Sequence, residues 1–147
     1  MAETQNIKVV AIPVPVLGQV WDQVALLLYA GLAEARNMSL RDVLDGLFDG
    51  TYQLWAIYDE GRICAAFITG VMRDGDLKFL DVSALSGDGI KKWGKPLSSA
   101  MNLHAGELGC EKVRFVGRRG LERVYDGVRI VGDEFSPGNY RFERDVT

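Results

Sequence analysis

Three lysines, Lys91, Lys92 and Lys95, cluster around Gly89 and Gly94 where a helical pattern begins. The first-turn amides of a helix are free donors, and the helix dipole favours negative charge there. Cations at that end oppose the dipole unless an anion joins them, so the cluster reads as a phosphate site or as a solvated basic turn. Arg118 and Arg119 follow a strand end, where guanidinium groups contact a phosphate or an adenine, or simply face water. Asp81 lies inside an apolar strand pattern, Leu77–Leu85, and alternation puts it on one face with Leu77, Phe79, Ser83 and Leu85. If that face lines a cleft, Asp81 is a candidate base. If it faces water, Asp81 is the polar side of an amphipathic strand. Tyr125 carries a phenol of ordinary pKa about 10, able to give a proton to a departing anion or only to pack.

Other chemistries find less support. His104 is the one histidine, sits on an apolar helical stripe and has no triad partners in the pattern. Trp93 opens that stripe and reads as core, with ligand stacking as the other reading. Cys64 and Cys110 are far apart, with no CxxC spacing, which argues against zinc and for buried thiols in a reducing compartment. With Lys+Arg 17 against Asp+Glu 20, the net charge of −3 supplies no field for nucleic acid or an anionic membrane. Met1–Lys8 lacks a leader pattern, and the apolar run Val20–Ala33 is short and broken by Asp22 and Gln23. The expectation is one cytoplasmic domain over residues 1–147, since 48% hydrophobic and 25% charged residues suit a packed core.

The elements that would position these residues follow from periodicity. Ile7–Ala11 reads as a strand. Pro13 and Pro15 then open a long helix with apolar residues Leu17, Val20, Val24, Leu28, Gly31 and Leu32 at helical spacing. Ser39, with Asp42 three residues on, caps a second helix that ends at Gly50. Tyr52–Tyr58, Arg62–Met72 and Leu77–Leu85 are strands joined by the turns Asp59-Glu60-Gly61 and Arg73–Asp76, an antiparallel meander. A central helix from about Lys91 to Leu108 stops at Gly109 and leads to strand Lys112–Val116, which must then run parallel to Leu77–Leu85. A short helix, Arg119–Asp126, and strands Val128–Val131 and Tyr140–Glu143 complete the chain.

The resulting order, β-α-α-β-β-β-α-β-α-β-β, resembles the GNAT superfamily of acyl-CoA N-acyltransferases over nearly the whole chain. The hairpin Tyr52–Ala66, the Gly109-Cys110 helix end and the segment Gly117–Tyr125 carry the likeness. The chain is also similar to small acetyltransferase-like proteins of bacteriophages. The resemblance implies an α+β fold: a mixed, mainly antiparallel central sheet with helices on both faces. It implies acetyl-CoA as co-substrate and a primary amine as acceptor, with the pyrophosphate on the loop Ser86–Lys95 and the oxyanion near the amides of Ala84 and Leu85. The family's loop, Arg/Gln-x-x-Gly-x-Gly/Ala, falls on Gly89–Gly94. Gly94 matches, Gly89 stands in place of Arg/Gln, and Lys92 replaces the first glycine. Tyr125 takes the place of the family's general acid, Asp81 that of its proton-relay carboxylate, and Arg118 that of an asparagine opening the last helix. A second reading is a catalytically silent GNAT-like module that binds a protein partner or its own copy, in a phage particle or against a host factor.

Overall fold

The computed structural model describes residues 6–35, 38–117 and 127–147. Seven strands form one sheet in the order β1-β2-β3-β4-β5-β7-β6. They are β1 (Ile7–Ile12), β2 (Gln53–Asp59), β3 (Arg62–Asp74), β4 (Leu77–Gly87), β5 (Lys112–Gly117), β6 (Arg129–Ser136) and β7 (Asn139–Asp145). Every neighbouring pair is antiparallel except β4–β5, which is parallel as the helical crossover requires. At the hairpin turns β2, β3 and β6 run past their expected ends, because the turns at Gly61, Gly75 and Gly138 are tight, each glycine with φ between 61° and 80°.

Helix α1 (Leu17–Ala35) follows a short 3-10 turn at Val14–Val16, in which Pro15 lies at the helical start where its missing N–H costs nothing. Helix α2 (Leu40–Asp49) begins on a capping box: Ser39 Oγ accepts from the Asp42 amide, and the Asp42 carboxylate accepts from the Ser39 amide. Both helices cover one face of the sheet, packing Val24, Leu28, Val43 and Leu47 on Leu54, Ala56, Ala66 and Ile68. Helix α3 (Ile90–Glu107) covers the other, with Trp93, Leu97, Met101 and Ala105 on Ile57, Phe67, Val82 and Phe115. Each fully buried Leu or Phe contributes about 1.5–3 kcal/mol, so both layers are held chiefly by apolar burial. The expected helix Arg119–Asp126, and with it Tyr125, Arg118 and Arg119, falls outside the described residues.

Candidate active site

The sheet opens in its middle. β4 and β5 pair from Phe79↔Lys112 to Val82↔Phe115. Beyond that row β4 runs on to Gly87 while β5 stays with β7 as far as Gly117↔Tyr140. A bulge accompanies the parting. Ile68 faces Ser83 and Ala66 faces Ser86, so Ala84 and Leu85 together oppose Phe67. Ala84 takes φ 58°, an unfavourable conformation for a residue with a Cβ. A bulge leaves backbone groups out of the ladder and turns side chains over. Leu85 accordingly packs on the α3 side while Ala84 packs under α1, which corrects the simple alternation that grouped Leu85 with Asp81.

Helix α1 presses on this bulge at Gly31. A Cβ built there would lie 2.2 Å from the Ala84 carbonyl oxygen, so only glycine admits the contact. A glycine inside an otherwise apolar helix was the available signal for such a close approach.

Asp81 is 9% exposed, a buried carboxylate and not the wet side of a strand. Ser83 Oγ donates to its Oδ2 at 2.5 Å. Along the same row the sheet carries Asp81↔Arg114, Arg114↔Glu143 and Glu143↔Arg129 as cross-strand partners. Glu143, 6% exposed, accepts from Arg114 Nε and from Arg129 Nη2, each at 2.8 Å. The Arg114 guanidinium also lies 4.4 Å from the centroid of the Phe79 ring. A cleft of about 280 Å³ opens over this row, lined by Met72, Phe79, Asp81, Arg114 and Arg141. Alternation puts Ser83 on the Asp81 face, but the Arg114–Glu143–Arg129 row escaped the sequence reading, because pairing across strands depends on register and not on local spacing.

The N-terminus of α3 stands at the end of β4. Its N-cap, Gly89, has φ 84° and no capping side chain, and no acidic residue occupies the first turn. The Trp93 indole is 2% exposed, so it is core, and its Nε1 donates to the Asp88 carbonyl at 2.6 Å, pinning the loop. Gly87 has its Cα against the Cys64 carbonyl, where a Cβ would come within 2.3 Å. Lys92 Nζ reaches Asp59 at 3.3 Å, which carries its side chain toward the end of β2. Lys91 and Lys95 are exposed, and Gly94 is buried. Pro96 lies inside the helix, where it leaves the Lys92 carbonyl without its usual donor. This turn, with bare glycine backbone, an uncapped end and Lys91 beside it, fits a phosphate group. Ser86, Gly89 and Lys91 follow Ala84 and Leu85 beyond the paired row, whereas Gly94 is buried in the helix, Lys92 is drawn aside by Asp59, and Asp81 lies within the paired row opposite Arg114.

No protein-family model and no curated protein matches the sequence; the likeness lies in the structure. The N-acyl amino acid synthase FeeM from uncultured soil microbes superposes with TM-score 0.64 at 9% identity, covering 97% of this chain and 92% of that one. An IAA acetyltransferase from Bacillus cereus gives 0.63 at 13% identity, with 95% and 99% covered. A Bacillus subtilis acetyltransferase in complex with CoA gives 0.62 at 14% identity, with 98% and 100% covered. This is the GNAT fold. Its mixed, mainly antiparallel sheet with helices on both faces agrees with the expectation from the order of elements. Among the described residues no helix of this GNAT-like chain is long and apolar enough to cross a membrane. Nor does any group of three His, Cys, Asp or Glu among them stand ready for a metal. Cys110 is buried and Cys64 half-buried, and burial pushes both thiols above their ordinary value of 9.0.

Proposed function

We propose that the chain is an N-acyltransferase that moves an acetyl group from acetyl-CoA to a primary amine. The observation that carries this reading is the parting of β4 from β5 at a bulge, beside the buried Asp81–Ser83 pair. Acetyl-CoA would lie with its pyrophosphate on Ser86, Gly89, Lys91 and Gly94, and Arg118 would add a guanidinium. The amine nitrogen attacks the thioester carbonyl carbon, a C–N bond forms, and the C–S bond breaks. Asp81, held by Ser83, takes the proton that the amine sheds. Amides at Ala84 and Leu85, in the bulge, donate to the oxyanion. Tyr125 protonates the leaving thiolate.

Two measurements test this. Calorimetric titration with acetyl-CoA should show saturable binding. Asp81→Asn should lower turnover of a primary amine by about 10²–10⁴-fold with affinity for acetyl-CoA kept, as removal of a proton-transfer group does. Tyr125→Phe should cause a loss of similar order with an unchanged melting temperature. The departure at Gly89 and Lys92 from the family loop favours a second reading, a silent binding module. No heat with acetyl-CoA and no turnover of any amine would select it.

A further inference from the structure

The pole of the molecule opposite the split holds a second cavity. It occupies about 330 Å³ between the start of α1, the end of α2, the C-terminal half of α3, β1–β3 and Leu80 of β4. His104 in its wall lies fourteen residues along α3 from Ile90, about 21 Å at the helical rise. The cavity is therefore separate from the turn where α3 begins.

Four features describe what it would hold. No Lys, Arg, Asp or Glu is among its lining residues, so a charged guest would lose hydration without a counter-charge. The walls are apolar and fixed. The Tyr52 ring is wedged between Gly46 and Gly70, where added Cβ atoms would come within 2.1 Å and 3.2 Å of it. Of the polar groups in the wall, the Gln53 amide nitrogen is spent on the Ile12 and Leu54 carbonyls, and Thr51 lies just before β2. His104 and Thr69 are joined through Trp55: the imidazole stands edge-on to the Trp55 ring at 4.8 Å, and Trp55 Nε1 donates to Thr69 Oγ1 at 3.0 Å. No described hydrogen bond engages the imidazole, and burial holds it below its ordinary 6.5, hence neutral at pH 7. The mouth is rimmed by Val14, Val71 and Leu108, each more than a third exposed. Apolar side chains gathered at the rim of a cavity mark a binding surface more often than scattered ones do.

We propose that this cavity is a second ligand site, for a small uncharged molecule with an aromatic or branched-aliphatic body and one hydroxyl or N–H group directed at His104. A dry cavity of about 150 Å³ accommodates benzene, so the volume here suffices for a substituted ring. The site stands whether or not the chain transfers acyl groups.

The test uses phenol as the neutral probe and benzoate as its charged counterpart, followed by NMR of the one histidine. Phenol should shift the His104 ring protons saturably, and benzoate should not. Val71→Trp at the mouth should weaken phenol binding at least tenfold with the fold intact, and Val14→Trp repeats the block from the other rim should the first variant lose stability. Acetyl-CoA titration of the same variants reads the split separately and should be unchanged. Absence of a His104 response to millimolar phenol overturns the proposal. So does phenol affinity unchanged from the wild type in both tryptophan variants, or an equal response to benzoate.

Discussion

Helices α2 and α3 begin in opposite ways. α2 satisfies its own first turn, with Ser39 and Asp42 exchanging two hydrogen bonds in a reciprocal box. α3 begins on Gly89 with no capping side chain, no acid in its first turn and Lys91 and Lys92 in place of one. Local propensity explains α2 completely, since a capped start and an apolar stripe suffice to place it. It does not explain α3, whose start is poor for the helix alone and is held by the indole of Trp93 on the Asp88 carbonyl. The difference separates an end shaped for stability from one that forgoes local stabilisation, as functional sites do.

The sharpest way to break this contrast is to give α3 the charge that α2 possesses. Lys91→Glu should complement the dipole and leave the melting temperature equal or slightly higher. It should also weaken acetyl-CoA binding by tenfold or more at low salt, with the deficit shrinking as salt screens it. Unchanged affinity would make the two helix starts functionally alike. Lys91→Ala with Lys92→Ala should show a smaller loss in the same direction. Because Lys92 is paired with Asp59, the single Lys92→Ala should contribute little of it. The converse change, Ser39→Ala, should cost about 1 kcal/mol of stability, seen in chemical denaturation, and leave acetyl-CoA binding as it was.

Acid gives the smallest effect. The Ser39 amide and hydroxyl on the Asp42 carboxylate hold its pKa below 3.8. A carboxylate with a lowered folded value stabilises above the ordinary pKa, and that contribution fades as pH falls through the folded one. The Ser39 amide resonance should therefore move with a midpoint below 3.8, while the Lys91 amide shows no matching transition.

How much could be read beforehand follows from the same physics. The α2 cap, the meander and the parallel β4–β5 pair were legible, because capping residues, alternation and a helical crossover are local signals. Asp81 and the glycine-lysine turn were legible as candidates. Alternation placed Ser83 beside Asp81 but not the burial of that face, which depends on what packs over it, and it missed the turning-over of Leu85, since a bulge inserts one residue that alternation cannot announce. The pull of Asp59 on Lys92 joins residues 33 positions apart, and the cavity at the far pole gathers residues from four strands and three helices. Sequence spacing carries no record of either.

The fit of Gly31 on the Ala84 carbonyl also sets a rule for the length of α1. Each residue turns a helix by about 100°. One residue added or removed between Leu17 and Gly31 would swing the glycine off the bulge and bring a side chain into its place, while the 3-10 turn at Val14–Val16 anchors the other end. That stretch of helix acts as a ruler: substitutions on its outer surface are free, but its count of residues is not. An alanine inserted after Gln23 should therefore harm acyl-CoA binding more than an alanine replacing exposed Leu26.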